Sequence, residues 1–190
     1  MRPLVLLDQD GPLAGFDDHF WARCADEGIS LDCLLHEQRH RYGTDHIPDK
    51  GERARARAMV DSAGWFADLP VVEGSVDGLN RLAEVADVWI CSKPLATNPT
   101  SHSDKAAWLA KHYGTKWAGR LILAPDKSMI VGHLLLDDAP KLAWLPRAQW
   151  MPVIFSMSWN GAGSDWARLP HWDWSEDIAT LINYVWRTNA

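Results

Sequence analysis

Five short apolar runs punctuate the chain: Leu4-Val5-Leu6-Leu7, Asp87-Val88-Trp89-Ile90-Cys91, Leu121-Ile122-Leu123, Leu134-Leu135-Leu136 and Val153-Ile154-Phe155. All are continuous rather than alternating, the pattern of strands covered on both faces in a parallel sheet. Between them, apolar residues recur at helical spacing. Residues 75–86 place Leu79, Leu82 and Val85 three apart and read as a helix. Residues 105–113 read as another, preceded by Ser101-x-x-Asp104 as a capping box. Residues 177–187 read as a closing helix. Alternation of this kind builds βαβ units and predicts an α/β fold with a doubly wound parallel sheet.

The stretch 16–69 breaks the rhythm. It carries no strand pattern but three charge-rich helical ones, over 18–27, 31–41 and 50–61, the last with Asp49-x-x-Glu52 at its start. A helical insertion directly after the first strand sits above that strand's carboxyl end, where α/β sheets place their ligands. The expected organisation is a core of residues 1–16 and 71–190, with a helical cap over 17–70. Arg55 and Arg57, between alanines, make a solvated basic face too short to bind nucleic acid.

Composition narrows the class. A length of 190 residues suits one domain, or one domain carrying a sizeable insertion, with core enough to fold without staples. Nineteen basic against 25 acidic residues, net −6, argue against a nucleic-acid partner. No run reaches the roughly 18 apolar residues of a membrane span. The first apolar run ends at Asp8 after four residues, too short for a signal peptide. Cys24, Cys33 and Cys91 are too sparse for a disulfide framework and suit a reducing compartment. A soluble, cytoplasmic protein is expected. Of 12 tryptophans, half lie between Trp144 and Trp174; packing is the expected role of Trp172 and Trp174, and the sequence offers none for the others.

Candidate chemistry gathers at the strand ends. Asp8-Gln9-Asp10-Gly11 follows the first apolar run, and Gly11 permits a tight turn. Paired carboxylates can divide labour as nucleophile and general acid, although short acidic turns are common on their own. Asp137-Asp138 repeats the arrangement after the fourth run, and two such clusters suit a hard cation such as Mg²⁺. Ser92 ends the second run, where a hydroxyl can donate to a phosphate oxygen, and Lys127 precedes the fourth strand. Other chemistries find no support. Cys33-x-x-His36-x-x-x-His40 matches no compact zinc pattern. There is no G-x-S-x-G elbow, Walker loop or G-x-G-x-x-G, and Asn160-Gly161-Ala162-Gly163 reads as a loop.

In these motifs the chain resembles the haloacid dehalogenase-like phosphohydrolases. Their D-x-D-G-x-x motif is matched by Asp8 to Leu13, their second-motif hydroxyl by Ser92, their lysine by Lys127 and their acidic pair by Asp137-Asp138. Within that superfamily it is most similar to the 5′(3′)-deoxyribonucleotidases, through D-Q-D-G-P-L-A-G-F, E-Q-R-H-R-Y, I-C-S-K-P, D-K-S-M-I-V-G-H-L-L-L-D-D and H-W-D-W-S-E-D-I. The resemblance runs nearly end to end.

It implies a Mg²⁺-dependent phosphomonoesterase acting on nucleoside monophosphates on a Rossmann-like core. Asp8 would be the nucleophile and Asp10 the general acid and base. Ser92 and Lys127 would grip the phosphoryl group. The Asp8 carboxylate, the Asp10 carbonyl and one or both of Asp137 and Asp138 would hold the metal. Phe16, Tyr42, Gly43 and Thr44 would line the base pocket, with Trp65 and Phe66 nearby, and a homodimer is expected by the same similarity. Departures are Pro12 for a small or β-branched residue, Lys93 for a small hydroxyl residue, Ala96 where a lysine is usual, and Gly43 for a bulky aromatic. Lys93 is the expected replacement for the missing charge. Alternatives are a phosphatase for sugar phosphates or other small phosphomonoesters, and a nucleotide-binding module without catalysis.

Overall fold

The computed structural model describes residues 2–31, 44, 47–139, 146–160, 166–172 and 182. Its sheet has six parallel strands: β1 (Leu4–Leu7), β2 (Asp87–Ser92), β3 (Leu121–Leu123), β4 (Leu134–Asp137), β5 (Met151–Phe155) and β6 (Ala167–Leu169), ordered β3-β2-β1-β4-β5-β6. The first five coincide with the apolar runs. The sixth was hidden because Arg168 sits at its centre, and its place comes from pairing with β5.

The described helices are α1 (Phe16–Asp26), α2 (Lys50–Val60), α3 (Ser75–Val85), α4 (Ser101–Tyr113) and the short α5 (Thr115–Ala118). The Asp49 cap forms as expected, its carboxylate accepting from the Glu52 amide at 2.9 Å. The expected start of α4 needs correction. The helix begins at Ser101, so Ser101 is its first residue and Thr100 its cap. Ser101 Oγ instead accepts from the Leu95 amide, fastening the preceding loop. The helical patterns over 31–41 and 177–187 fall outside the described residues, save Leu31 and Ile182.

Alternate β1 residues enter different clusters. Val5 and Leu7 pack with Leu79, Leu82, Trp108 and Leu109, while Leu6 packs with Cys91, Leu135 and Trp150. Both faces of the central strand are therefore buried, which explains its unbroken run of apolar residues. β1 lies between β2 and β4, the point where the strand order reverses and where such sheets leave a crevice. The segment between β1 and α3 contains no described strand. It is tied to the sheet side by Asn98, which donates to the carbonyls of Val60 and Ser62, and by Trp108, whose indole donates to the Leu69 carbonyl at 2.7 Å. No described helix is long and apolar enough to cross a membrane.

Candidate active site

Register sets the geometry. Leu7 pairs with Ile90 on one side and Leu136 on the other, so the residues that follow emerge at one level. Those residues are Asp8, Ser92 and the Asp137-Asp138 pair. The Asp8 amide donates to the Leu136 carbonyl at 2.8 Å and extends the ladder by one bond. The chain then turns at Gly11, which has φ of 91°. A side chain there meets a second obstacle, because a Cβ would stand 2.3 Å from Asp138 Oδ2. Gly11→Ala is therefore expected to destabilise the fold by about 2–3 kcal/mol and displace the Asp138 carboxylate. Urea denaturation and turnover measured together test this, and an active variant of unchanged stability would contradict it.

Asp8, Asp137 and Asp138 each offer a carboxylate oxygen within 4.8 Å of the others. Lys127, buried to 1% exposure, lies between the first two, 2.7 Å from Asp8 Oδ1 and 2.7 Å from Asp137 Oδ2. A 3₁₀ turn delivers it: Asp126 caps Lys127–Met129 by accepting from the Ser128 amide, and Trp150 donates its indole N–H to the Lys127 carbonyl. Burial pulls the Lys127 ammonium down, but Asp137 and Asp8 together outweigh it and hold it above its ordinary value. Burial raises Asp8 to about 6, Asp137 and Asp10 adding to the rise and Lys127 opposing it. Asp138 is pushed well above the carboxylate range, first by desolvation and then by Asp137, Asp8 and Asp17. Three carboxylates crowded so closely suit a divalent cation, which favours oxygen ligands and offsets their repulsion.

The oxygens are not equivalent. Asp137 is committed twice, to Lys127 and to the Ala139 amide at 2.8 Å. Asp8 Oδ1 accepts from both Lys127 and the Gln9 amide, leaving Oδ2 outside those bonds. Asn160 holds the Asp138 carbonyl and the Phe155 carbonyl through one amide group, a support without any sequence signal.

A cavity of about 340 Å³ opens over the cluster, lined by Asp8, Asp10, Lys127, Asp137 and Asp138 at its base. Phe16 and Phe66 stand in its wall with ring centroids 6.2 Å apart, and exposed Lys93 is at its edge. Buried Asp17 also lines it and accepts from Trp159 Nε1 at 2.7 Å. Thr44 is not brought to this wall; its hydroxyl accepts from Arg57. Tyr42 and Gly43 lie outside the described residues, as do Cys33, His36 and His40. Burial raises the Cys91 thiol beside Ser92 to about 11, which unsuits it as a nucleophile.

Two features escaped the sequence reading. Lys105 on α4 is fully buried, its ammonium paired with Asp10 and 3.1 Å from Ser92 Oγ. The available signal was its place in the buried stripe Ser101, Lys105, Trp108, Leu109, where a lysine is anomalous. The second is what the tryptophans do. Trp172 Nε1 donates to the Pro12 carbonyl, immediately after the Asp8–Gly11 turn, and its ring packs so closely on α3 that a Cβ at Gly78 would lie 2.2 Å away. With Trp108, Trp150 and Trp159, it uses an indole N–H to hold a segment that carries or adjoins the site.

A six-stranded parallel sheet of this order, with acids after its central strands, defines a haloacid dehalogenase-like hydrolase fold. Solved hydrolases of that type share it. One from Xanthomonas campestris superposes with a TM-score of 0.59 at 12% identity, over 98% of this chain and 100% of its own. One from Streptococcus pneumoniae gives 0.58 at 8%, over 96% and 98%. The profile of the family described as "5' nucleotidase, deoxy (Pyrimidine), cytosolic type C protein" matches residues 2–185, and the chain belongs to that family. A Bordetella pertussis protein provisionally named a 5′(3′)-deoxyribonucleotidase is 32% identical over 190 residues, covering 98% of this chain and all of its own. The human cytosolic-type 5′(3′)-deoxyribonucleotidase is 27% identical over 167 residues, covering 82% of this chain and 81% of its own.

Proposed function

We propose that this chain hydrolyses deoxyribonucleoside or ribonucleoside monophosphates to nucleoside and phosphate through an aspartyl-phosphate on Asp8, with Mg²⁺ as cofactor. The observation that carries the reading is the buried Asp8–Lys127–Asp137 cluster at the switch point of the sheet, opening into a cavity walled by two phenylalanines. Family membership supports the same reading. Residues 17–70 serve as the cap over this cavity and 1–16 with 71–190 as the core.

Asp8 attacks phosphorus through the oxygen left outside its bonds to Lys127 and Gln9. The P–O bond to the nucleoside breaks, and the departing oxygen takes its electron pair and a proton from Asp10. Asp10 then removes a proton from the water that cleaves the aspartyl-phosphate, which releases phosphate and restores Asp8. Lys127 neutralises charge on the transferring group, and Ser92 donates to a phosphoryl oxygen. Asp8, the Asp10 carbonyl and Asp138 would hold Mg²⁺, since Asp137 is engaged by Lys127 and Ala139. When bound, that ion supplies positive charge to the phosphoryl oxygens. Local charge of this sort lets a protein of net −6 accept a phosphate dianion.

A substrate panel of dUMP, dTMP, UMP, purine monophosphates and sugar phosphates, with and without chelator, tests the proposal. Base stacking on Phe16 and Phe66, worth roughly 1–3 kcal/mol, is expected to favour nucleotides by about 10-fold or more in kcat/KM. Chelator is expected to abolish turnover. Equal rates across the panel would remove the nucleotidase reading but leave the phosphatase one. Undiminished rates in chelator would remove the metal.

A further inference from the structure

We propose that Lys105 is a positioning residue that orients the proton-donating carboxyl of Asp10 and couples it to the Ser92 hydroxyl; this rests on the phosphatase reading above. Its side chain is 0% exposed, and its ammonium has three neighbours from three segments. It pairs with Asp10 Oδ2 and lies 3.1 Å from Ser92 Oγ. It also lies 4.4 Å from the centroid of the Phe66 ring, in the cavity wall.

The link is reciprocal. The Lys105 carbonyl accepts from Gln9 Nε2 at 3.2 Å, so one residue of α4 holds both Gln9 and Asp10. Gln9 is itself fully buried. The turn between the two catalytic carboxylates is thereby latched to the first turns of α4 by one charged and one neutral bond.

Placement of a carboxyl within about 0.5 Å matters for proton transfer, and a side chain locked by its neighbours provides it. Asp10 Oδ2 is committed to Lys105, while Oδ1 is buried without a hydrogen-bond partner. A carboxyl that must exchange a proton with a leaving oxygen and later with water has to be held facing the cavity, which Asp10 lines, and the Lys105 ammonium fixes it there. The proton that moves is Asp10's, and the electron pair of the breaking P–O bond stays on the nucleoside oxygen.

The test exploits leaving-group chemistry. A nucleoside oxygen needs a proton to depart, whereas a nitrophenolate does not. In Lys105→Met, kcat/KM for a deoxynucleoside monophosphate is expected to fall about 10³-fold and that for p-nitrophenyl phosphate about 10-fold, the excess reflecting the roughly 10²–10⁴-fold worth of general acid catalysis. Lys105→Met placed in an Asp10→Asn background is expected to cost no more than about 10-fold further on the nucleotide. Thermal melts establish that each variant is folded; Lys105→Leu carries the same comparison should the methionine variant not fold, and Lys105→Gln, which keeps a donor, is expected to recover part of the nucleotide rate. Equal losses on both substrates in a folded variant, or fully additive losses in the double variant, would overturn the role. A wild-type protein that turns over neither substrate would instead sink the phosphatase reading itself.

Discussion

Asp8→Asn is expected to reduce turnover of any phosphomonoester by at least about 10⁴-fold, equivalent to about 5.5 kcal/mol of transition-state stabilisation. An amide in that position can still accept from Lys127 and from the Gln9 amide, so both bonds to Oδ1 survive. What disappears is the second, nucleophilic oxygen. The substitution also removes one charge from a crowded set, since burial already holds Asp8 near 6. The variant is therefore expected to melt no lower than the wild type at pH 8. Steady-state kinetics and a thermal melt on one preparation separate these effects. Unchanged turnover would remove Asp8 as nucleophile, and a large drop in melting temperature would make inactivity uninformative about chemistry.

Lys127→Met is expected to be the most damaging substitution for the fold. The lysine is the shared partner of Asp8 and Asp137. Removing one member of a buried ion pair leaves an uncompensated charge and costs about 3–5 kcal/mol. For a domain of this size that is roughly 10 °C in melting temperature. The pH dependence has a definite sign. The folded-state value of Asp8, about 6, lies above its ordinary 3.8, so folding favours the protonated form. Stability is lost as pH rises between those values, and the wild type carries this cost with Lys127 opposing it. Without Lys127 the Asp8 value moves higher still, and the window extends upward. The melting-temperature gap between wild type and Lys127→Met should therefore widen from pH 5 to pH 8. A gap that narrows or stays constant would show that Lys127 does not stabilise these carboxylates.

Neither prediction needed the structure to name its residue, but both needed it for their magnitude. Asp8 and Asp137-Asp138 were legible because each directly follows an unbroken apolar run, and Lys127 because it stands ten residues before the acidic pair, ahead of the fourth run. Division of labour within the acid pair was not. The two bonds that occupy Asp137 involve Lys127, ten positions away, and an amide beyond the strand, and no spacing rule specifies either. Lys105 was missed for a related reason. It lies in helix α4, whose start the sequence signal placed four residues late, and a lysine in a helix is ordinarily solvated. Only packing of α4 on the sheet turns it inward. The tryptophan surplus had no local meaning either, because the indoles that hold segments of the site find their acceptors far along the chain: Trp172 with Pro12, Trp159 with Asp17, Trp108 with Leu69.

Continuous apolar runs and the acids that end them determine, by themselves, a parallel sheet and a cluster of carboxylates at the ends of its central strands, because burial on both faces leaves a strand no other composition. Strand order, the sixth strand, the commitment of Asp137 and the inward turn of Lys105 were decided by tertiary structure alone. Those depend on which buried polar atom finds which partner across the core, and in a low-dielectric interior that pairing is a property of the assembled fold.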